Sequence, residues 1–205
     1  TGKSAEADKI HLAAICVEVA MAADIEDINI VQRPNGKVRE STAIAGLLID
    51  GEKLDHAMPD AVENPKIGLI AADIDIPDYA QQLNVQLKDN SGVKEFIDSR
   101  NAQLVEIGEQ LKATGLNVLF CSRELHPAII EHLAAHNIYA VRRVRRSDME
   151  ALAKATGARI VMNIDTFSDK DLGTSDLLEE VSIGERPMIK ITGTPNKSTV
   201  SVLVR

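Results

Sequence analysis

The sequence contains no tryptophan, two tyrosines and three phenylalanines. So few aromatics leave no obvious stacking platform for bases or sugar rings, and the core must be built from Ile, Leu, Val and Ala. Cysteine is scarcer still. Cys16 and Cys121 sit far apart in apolar runs, which predicts reduced thiols packed as small hydrophobes and no disulfide framework. Basic charge is in deficit: 23 Lys and Arg against 31 Asp and Glu give a net charge of -8. A general nucleic-acid binder needs a basic face for phosphates, so that class is excluded. No run approaches the roughly 18 to 20 apolar residues of a membrane span, and Thr1-Gly2-Lys3-Ser4 leads into an acidic helical stretch rather than a signal peptide. The expectation is a cytoplasmic protein with neither nucleic acid nor membrane as partner.

Apolar residues make up 44% of the 205, enough for a sizeable core without disulfides or metal. Between residues 5 and 23, Ile10, Ala14, Val17 and Met21 follow a helical spacing uninterrupted by Gly or Pro. Next, Ile28-Asn29-Ile30-Val31 and Lys37-Val38-Arg39 flank Asn35-Gly36, a pair that predicts a tight hairpin turn. Beyond Gly46, short apolar runs at 47–49, 67–71, 118–121, 138–141 and 159–162 alternate with helical segments, the pattern of an α/β layer structure with helices packed on a sheet. The last stretch, 177–205, predicts an antiparallel meander and closes in strand character, which suggests a fragment.

Two helices are delimited by their ends. Ser147-Asp148-Met149-Glu150 has the spacing of a capping box, and Gly157 supplies a left-handed stop. The other runs over about 91–114 to Gly115, with Val93, Ile97, Leu104, Ile107 and Leu111 apolar. At 1.5 Å per residue it would be roughly 36 Å long, more than a compact α/β layer requires. Its first turns, with Val93, Phe96 and Ile97 among charges, are expected to project.

Searched for chemistry, the chain offers little. Gly2-Lys3-Ser4 looks like the tail of a phosphate loop whose upstream glycine is missing. His132 and His136 share one helical face with His126 nearby, a spacing that suits zinc, yet there is no Glu at the metalloprotease position and no Cys pair, so no metal is assigned. Arg142-Arg143-Val144-Arg145-Arg146 is either a phosphate or acidic-partner patch or the polar end of a strand paired with carboxylates. No catalytic constellation stands out, and a binding domain is expected.

A family resemblance is carried by Ile138-Tyr-Ala-Val-Arg-Arg-Val-Arg-Arg-Ser-Asp-Met-Glu-Ala-Leu-Ala-Lys-Ala-Thr-Gly-Ala-Arg-Ile-Val161, which closely resembles an apical-domain segment of the group II chaperonins, the archaeal thermosome and its eukaryotic cytosolic counterpart. Leu48-Ile-Asp50, His56-Ala-Met-Pro59, Leu116-Asn-Val-Leu-Phe-Cys121 and Val200-Ser-Val-Leu-Val-Arg205 extend it, and Thr1-Gly-Lys-Ser-Ala-Glu-Ala-Asp8 looks like the start of the intermediate domain. The resemblance implies an α/β apical domain over 46–205, with a helical lid protrusion at about 84–110, and part of an α+β intermediate domain over 1–45. It implies a client-binding and lid-forming portion of an ATP-dependent chaperonin, with unfolded polypeptides and the sister subunits of a double ring as partners. The Gly-Asp-Gly-Thr nucleotide loop and catalytic Asp of the family are absent from these residues, so no ATP hydrolysis and no cofactor are expected of this chain, with ATP and Mg confined to the intact chaperonin. Lys3 matches the family lysine that senses the γ-phosphate.

By the same resemblance, Val93, Phe96 and Ile97 form the lid tip, unless they pack back on their own helix. Clients are held beside the helix at about 125–136, where Leu125, Ala128, Ile129, His132 and Leu133 point inward and Ile130, Glu131 and Ala134 outward. Ile130 stands where related archaeal helices tend to be polar, so it contacts a client, a neighbour, or the 55–60 loop. A stand-alone phosphate-binding module or enzyme using Lys3 and the arginine cluster is the alternative.

Overall fold

A computed structural model describes residues 8–34, 36–74, 90–184 and 186–205, with the backbone alone at 26 and 90–101. Helix α1 (Lys9–Ala22) is followed by strands β1 (Ile28–Gln32), β2 (Thr42–Ala45), β3 (Leu47–Asp50), β4 (Ala61–Glu63) and β5 (Lys66–Ile70). Helix α2 (Asn90–Ala113), β6 (Val118–Cys121), α3 (Pro127–Ala135), β7 (Tyr139–Val141), α4 (Arg146–Thr156) and β8 (Ile160–Val161) come next. The chain closes with β9 (Gly173–Thr174), β10 (Leu177–Ile183), β11 (Arg186–Thr192) and β12 (Val200–Val204).

The central layer is a parallel sheet in the order β7-β6-β5-β8, with β9 antiparallel on β5. Its strands are continuous apolar runs because both faces are covered. On one face Ile67, Leu69, Val118, Phe120, Tyr139 and Val141 meet Met149, Leu152 and Ala155 of α4 together with Leu47, Ile189 and Ile191. The alternate residues, Ile70, Leu119, Cys121 and Ala140, meet Leu104 and Leu111 of α2 and Ile129 and Leu133 of α3. This is the α/β architecture that the alternating pattern predicts.

An antiparallel sheet, β3-β11-β10-β4, packs beside this layer, and a third sheet runs β1-β12-β2. Leu48, Met188 and Leu203 bury the contact between the two. Helix α1 closes the far side of the third sheet with Ile15 and Val19 against Val200. Strand β12 thus hydrogen-bonds to β1 and β2 of the first 45 residues, although a division at 45/46 would group it with the rest.

Several local expectations are corrected. The hairpin expected between 28–31 and 37–39 does not form, because β12 inserts between β1 and β2 and residues 38–40 make a 3-10 turn, while Asn35 lies outside the described residues. The meander stops at β11 for the same reason: the third strand leaves to pair parallel with β1. The 147–150 capping box is replaced by a start two residues earlier, with Arg145 instead of Ser147 as N-cap, no side-chain cap, and Glu150 paired to Arg146 at 2.8 Å. Gly157 does end that helix at φ +77°. The stripe that predicts α1 lies on its exposed face, with Ile10 86% and Met21 84% accessible, whereas Ile15 and Val19 are buried. Cys16 is likewise exposed rather than packed.

Candidate functional site

Helix α3 begins at Pro127, whose missing N–H costs nothing in the first turn. The His126 ring caps it, Nδ1 accepting the Ala128 amide at 3.2 Å. It ends where Asn137 takes a left-handed conformation at φ +56° and the Ile138 amide returns to the Leu133 carbonyl at 2.9 Å. Ile129 and Leu133 fix it to the parallel sheet.

The outward face is narrower than its spacing predicts. Glu131 is exposed, and Ile130 is half-buried against the core. Ala134 is corrected from outward to buried, with only 7% of its surface accessible. The physical reason is that α3 packs against α2 as well as the sheet, so its buried arc exceeds one stripe.

Helix α2 spans 24 residues. Leu104 and Leu111 are buried, Gly108 is buried between them, and Val105 is exposed. Val93, Phe96 and Ile97 fall on its described backbone, but their side chains lie outside the described residues, as does Lys3 altogether.

Where the two helices meet, the structure gathers side chains far apart in sequence. His132 Nε2 lies 3.4 Å and His136 Nε2 4.0 Å from Glu109 Oε1, with Lys112 at 3.5 Å from the other carboxylate oxygen. The imidazole centroids are 4.4 Å apart. His136 Nδ1 bonds the His132 carbonyl at 2.8 Å. Burial, followed by the neighbouring His136, holds His132 below the ordinary histidine range, and Glu109 opposes that shift. Gly108 makes the arrangement possible: a Cβ there would stand 2.4 Å from His132 Cδ2. Sequence reasoning found the histidines and missed Glu109 and Gly108. The signal was a glycine inside a strong helical pattern, which marks close approach.

The arginine cluster resolves into separate ion pairs. Arg142 and Arg143 share Glu124, Arg145 lies 3.7 Å from Asp50, and Arg146 pairs with Glu150. A cleft of about 450 Å³ beside them mixes Asp50 and Glu52 with Lys53, Arg142, Arg143 and Arg186. Within it, Arg142 and Arg143 both turn to Glu124, so these two guanidinium groups already face a carboxylate of the chain itself. Burial pushes the Cys121 thiol up to about 11, and Sγ donates to the Ala72 carbonyl at 3.2 Å, a packed thiol and not a nucleophile.

Among the described residues, no helix is long and apolar enough to cross a membrane. Residues 1–205 match the model of the TCP-1/cpn60 chaperonin family. Thermosome subunit beta of Thermoplasma acidophilum is 36% identical over 213 residues, covering 99% of this chain and 39% of that subunit. The thermosome subunit of Pyrococcus horikoshii is 34% identical over 215 residues, covering 100% and 39%. Among solved structures, an open-state monomer of a group II chaperonin from Methanococcoides burtonii matches with a TM-score of 0.80 at 31% identity, over 100% of this chain and 47% of that one. The chain spans 39% of the length of these curated relatives. A match along every residue, with a shared fold and thermosome relatives, leads to one conclusion: the chain belongs to the TCP-1/cpn60 chaperonin family and resembles its group II, thermosome branch.

Proposed function

We propose that this chain is the client-binding and lid-forming portion of an ATP-dependent group II chaperonin, acting on unfolded polypeptides within a ring of sister subunits. The observation that carries the reading is the face of α3, where half-buried Ile130 adjoins exposed Glu131. A shallow face mixing apolar and charged groups suits weak binding of many chains, because apolar burial is non-directional and charge adds selection. Helix α2 would contribute the lid, with Val93, Phe96 and Ile97 toward its tip. Residues 1–45, joined by β12, would form part of an intermediate domain and the remainder an apical domain. Lys3 would sense the γ-phosphate only in the complete subunit, where ATP and Mg bind.

The test replaces Phe96, Ile97 and Ile130 together with Ser. Aggregation of a denatured test protein should then be suppressed less well, while stability falls by only about 1 kcal/mol, the share of the half-buried Ile130. Undiminished suppression would move the client site elsewhere, and a loss of several kcal/mol would make the three residues core. Calorimetry should detect no ATP uptake by the chain itself. Micromolar ATP binding would favour the phosphate-module reading, which the pairing of the cluster's arginines with Glu124, Asp50 and Glu150 argues against.

A further inference from the structure

We infer that Glu109, His132 and His136 form a binding site for a divalent transition metal, best suited to zinc, that ties helix α2 to the end of helix α3. The inference goes beyond the client reading and does not depend on it.

One ligand atom from each residue lies within 4.8 Å of the other two. Zinc bonds of about 2.0 to 2.1 Å in tetrahedral geometry place neighbouring ligand atoms roughly 3.3 Å apart. The observed 3.4 Å from His132 Nε2 to Glu109 Oε1 already meets that spacing, and the 4.0 Å from His136 closes with a small turn of the half-exposed Glu109 side chain. Two imidazoles and one carboxylate leave a fourth position for water, the ligand set of an open zinc site.

Three further features prepare the site. His136 Nδ1 is occupied by the His132 carbonyl at 2.8 Å, which fixes the tautomer and leaves the Nε2 lone pair for a metal, the usual outer-shell support of a ligating histidine. His132 Nε2 is buried, on a side chain only 12% accessible, and makes no hydrogen bond, its contact with Glu109 Oε1 at 3.4 Å being a charge contact alone. A buried ring nitrogen left in this state has a cost that a metal bond would remove. Gly108 keeps clear the slot that the His132 ring occupies. His132 lies in the last turn of α3, His136 is its C-cap, and the carboxylate comes from α2, so a bound ion would cross-link the two helices.

The test is a titration of the chain with ZnCl2 and CoCl2 in a Cys16→Ser background, which removes the exposed thiol as a competing ligand. One equivalent should bind, saturating below about 100 μM free metal, with the intense visible bands of four-coordinate cobalt and a rise in Tm that MgCl2 does not produce. Glu109→Gln and His136→Gln, both on accessible side chains, should each weaken binding at least tenfold and abolish the Tm rise. His56→Gln, at an exposed histidine outside the site, should bind as the parent does. Absence of saturable binding at 1 mM metal (about tenfold above the expected range), or unchanged affinity in both Glu109→Gln and His136→Gln, would overturn the inference.

Discussion

The Ser201 hydroxyl on β12 accepts the Leu48 amide of β3 at 2.8 Å, across the seam between two sheets. The same oxygen donates to the Gly46 carbonyl at 2.9 Å, and Asn29 Nδ2 reaches the Leu48 carbonyl at 2.9 Å. Ser201 is fully buried, so no water can take its place. Ser201→Ala should destabilise the chain by about 1 to 3 kcal/mol, because it strands a buried amide. Thermal or urea denaturation measures this, and a loss below about 0.5 kcal/mol would show that the seam is held by Leu48, Met188 and Leu203 alone.

Gly108→Ala reverses a familiar sign. In an ordinary helix interior the change gains about 1 kcal/mol of propensity. Here the new methyl would collide with the His132 ring, so a net loss of about 1 to 3 kcal/mol is expected. In a His132→Ala background the penalty should vanish, and a double-mutant cycle without coupling would refute the contact.

Asn137 ends α3 with φ +56°, a conformation in which glycine is at ease and β-branched residues are not. Asn137→Gly should therefore leave stability unchanged or raise it by a few tenths of a kcal/mol, whereas Asn137→Val should lower it by about 1 to 2 kcal/mol. Equal melting temperatures for the two variants would mean that the turn relaxes.

The thiols should separate cleanly by reactivity. With its pKa near 11, Cys121 holds roughly one thiolate in a thousand at pH 8, and the side chain is buried as well. Only above about pH 11 does the thiolate dominate in the folded chain. Exposed Cys16 should therefore take up a thiol reagent at once and Cys121 only after denaturation. Two rapid equivalents from the native chain would show that the sheet opens around β6.

The parallel sheet was legible because its strands are buried on both faces and so read as uninterrupted apolar runs, Val118-Leu119-Phe120-Cys121 above all. The third sheet was not. β12 lies far along the chain from β1, and a local pattern such as Asn35-Gly36 cannot register that a distant strand will take the pairing position. Ala134 was misassigned because periodicity assumes one covered stripe, and α3 is covered by two elements. The candidate metal ligands were half legible: His132 and His136 share a helical face by spacing alone, but Glu109 joins them only through the packing of α2 on α3.

Helix α1 turns Ile10, Val17 and Met21 outward, a stripe of apolar side chains with no cover among the described residues. To a surface that holds unfolded chains, such a stripe is itself a substrate. On the client reading of α3, each copy would present the next with a rival for the same face. Client held per molecule would then fall as protein concentration rises, an inverse dependence that sedimentation and client-capture curves would expose together and that Met21→Lys would weaken.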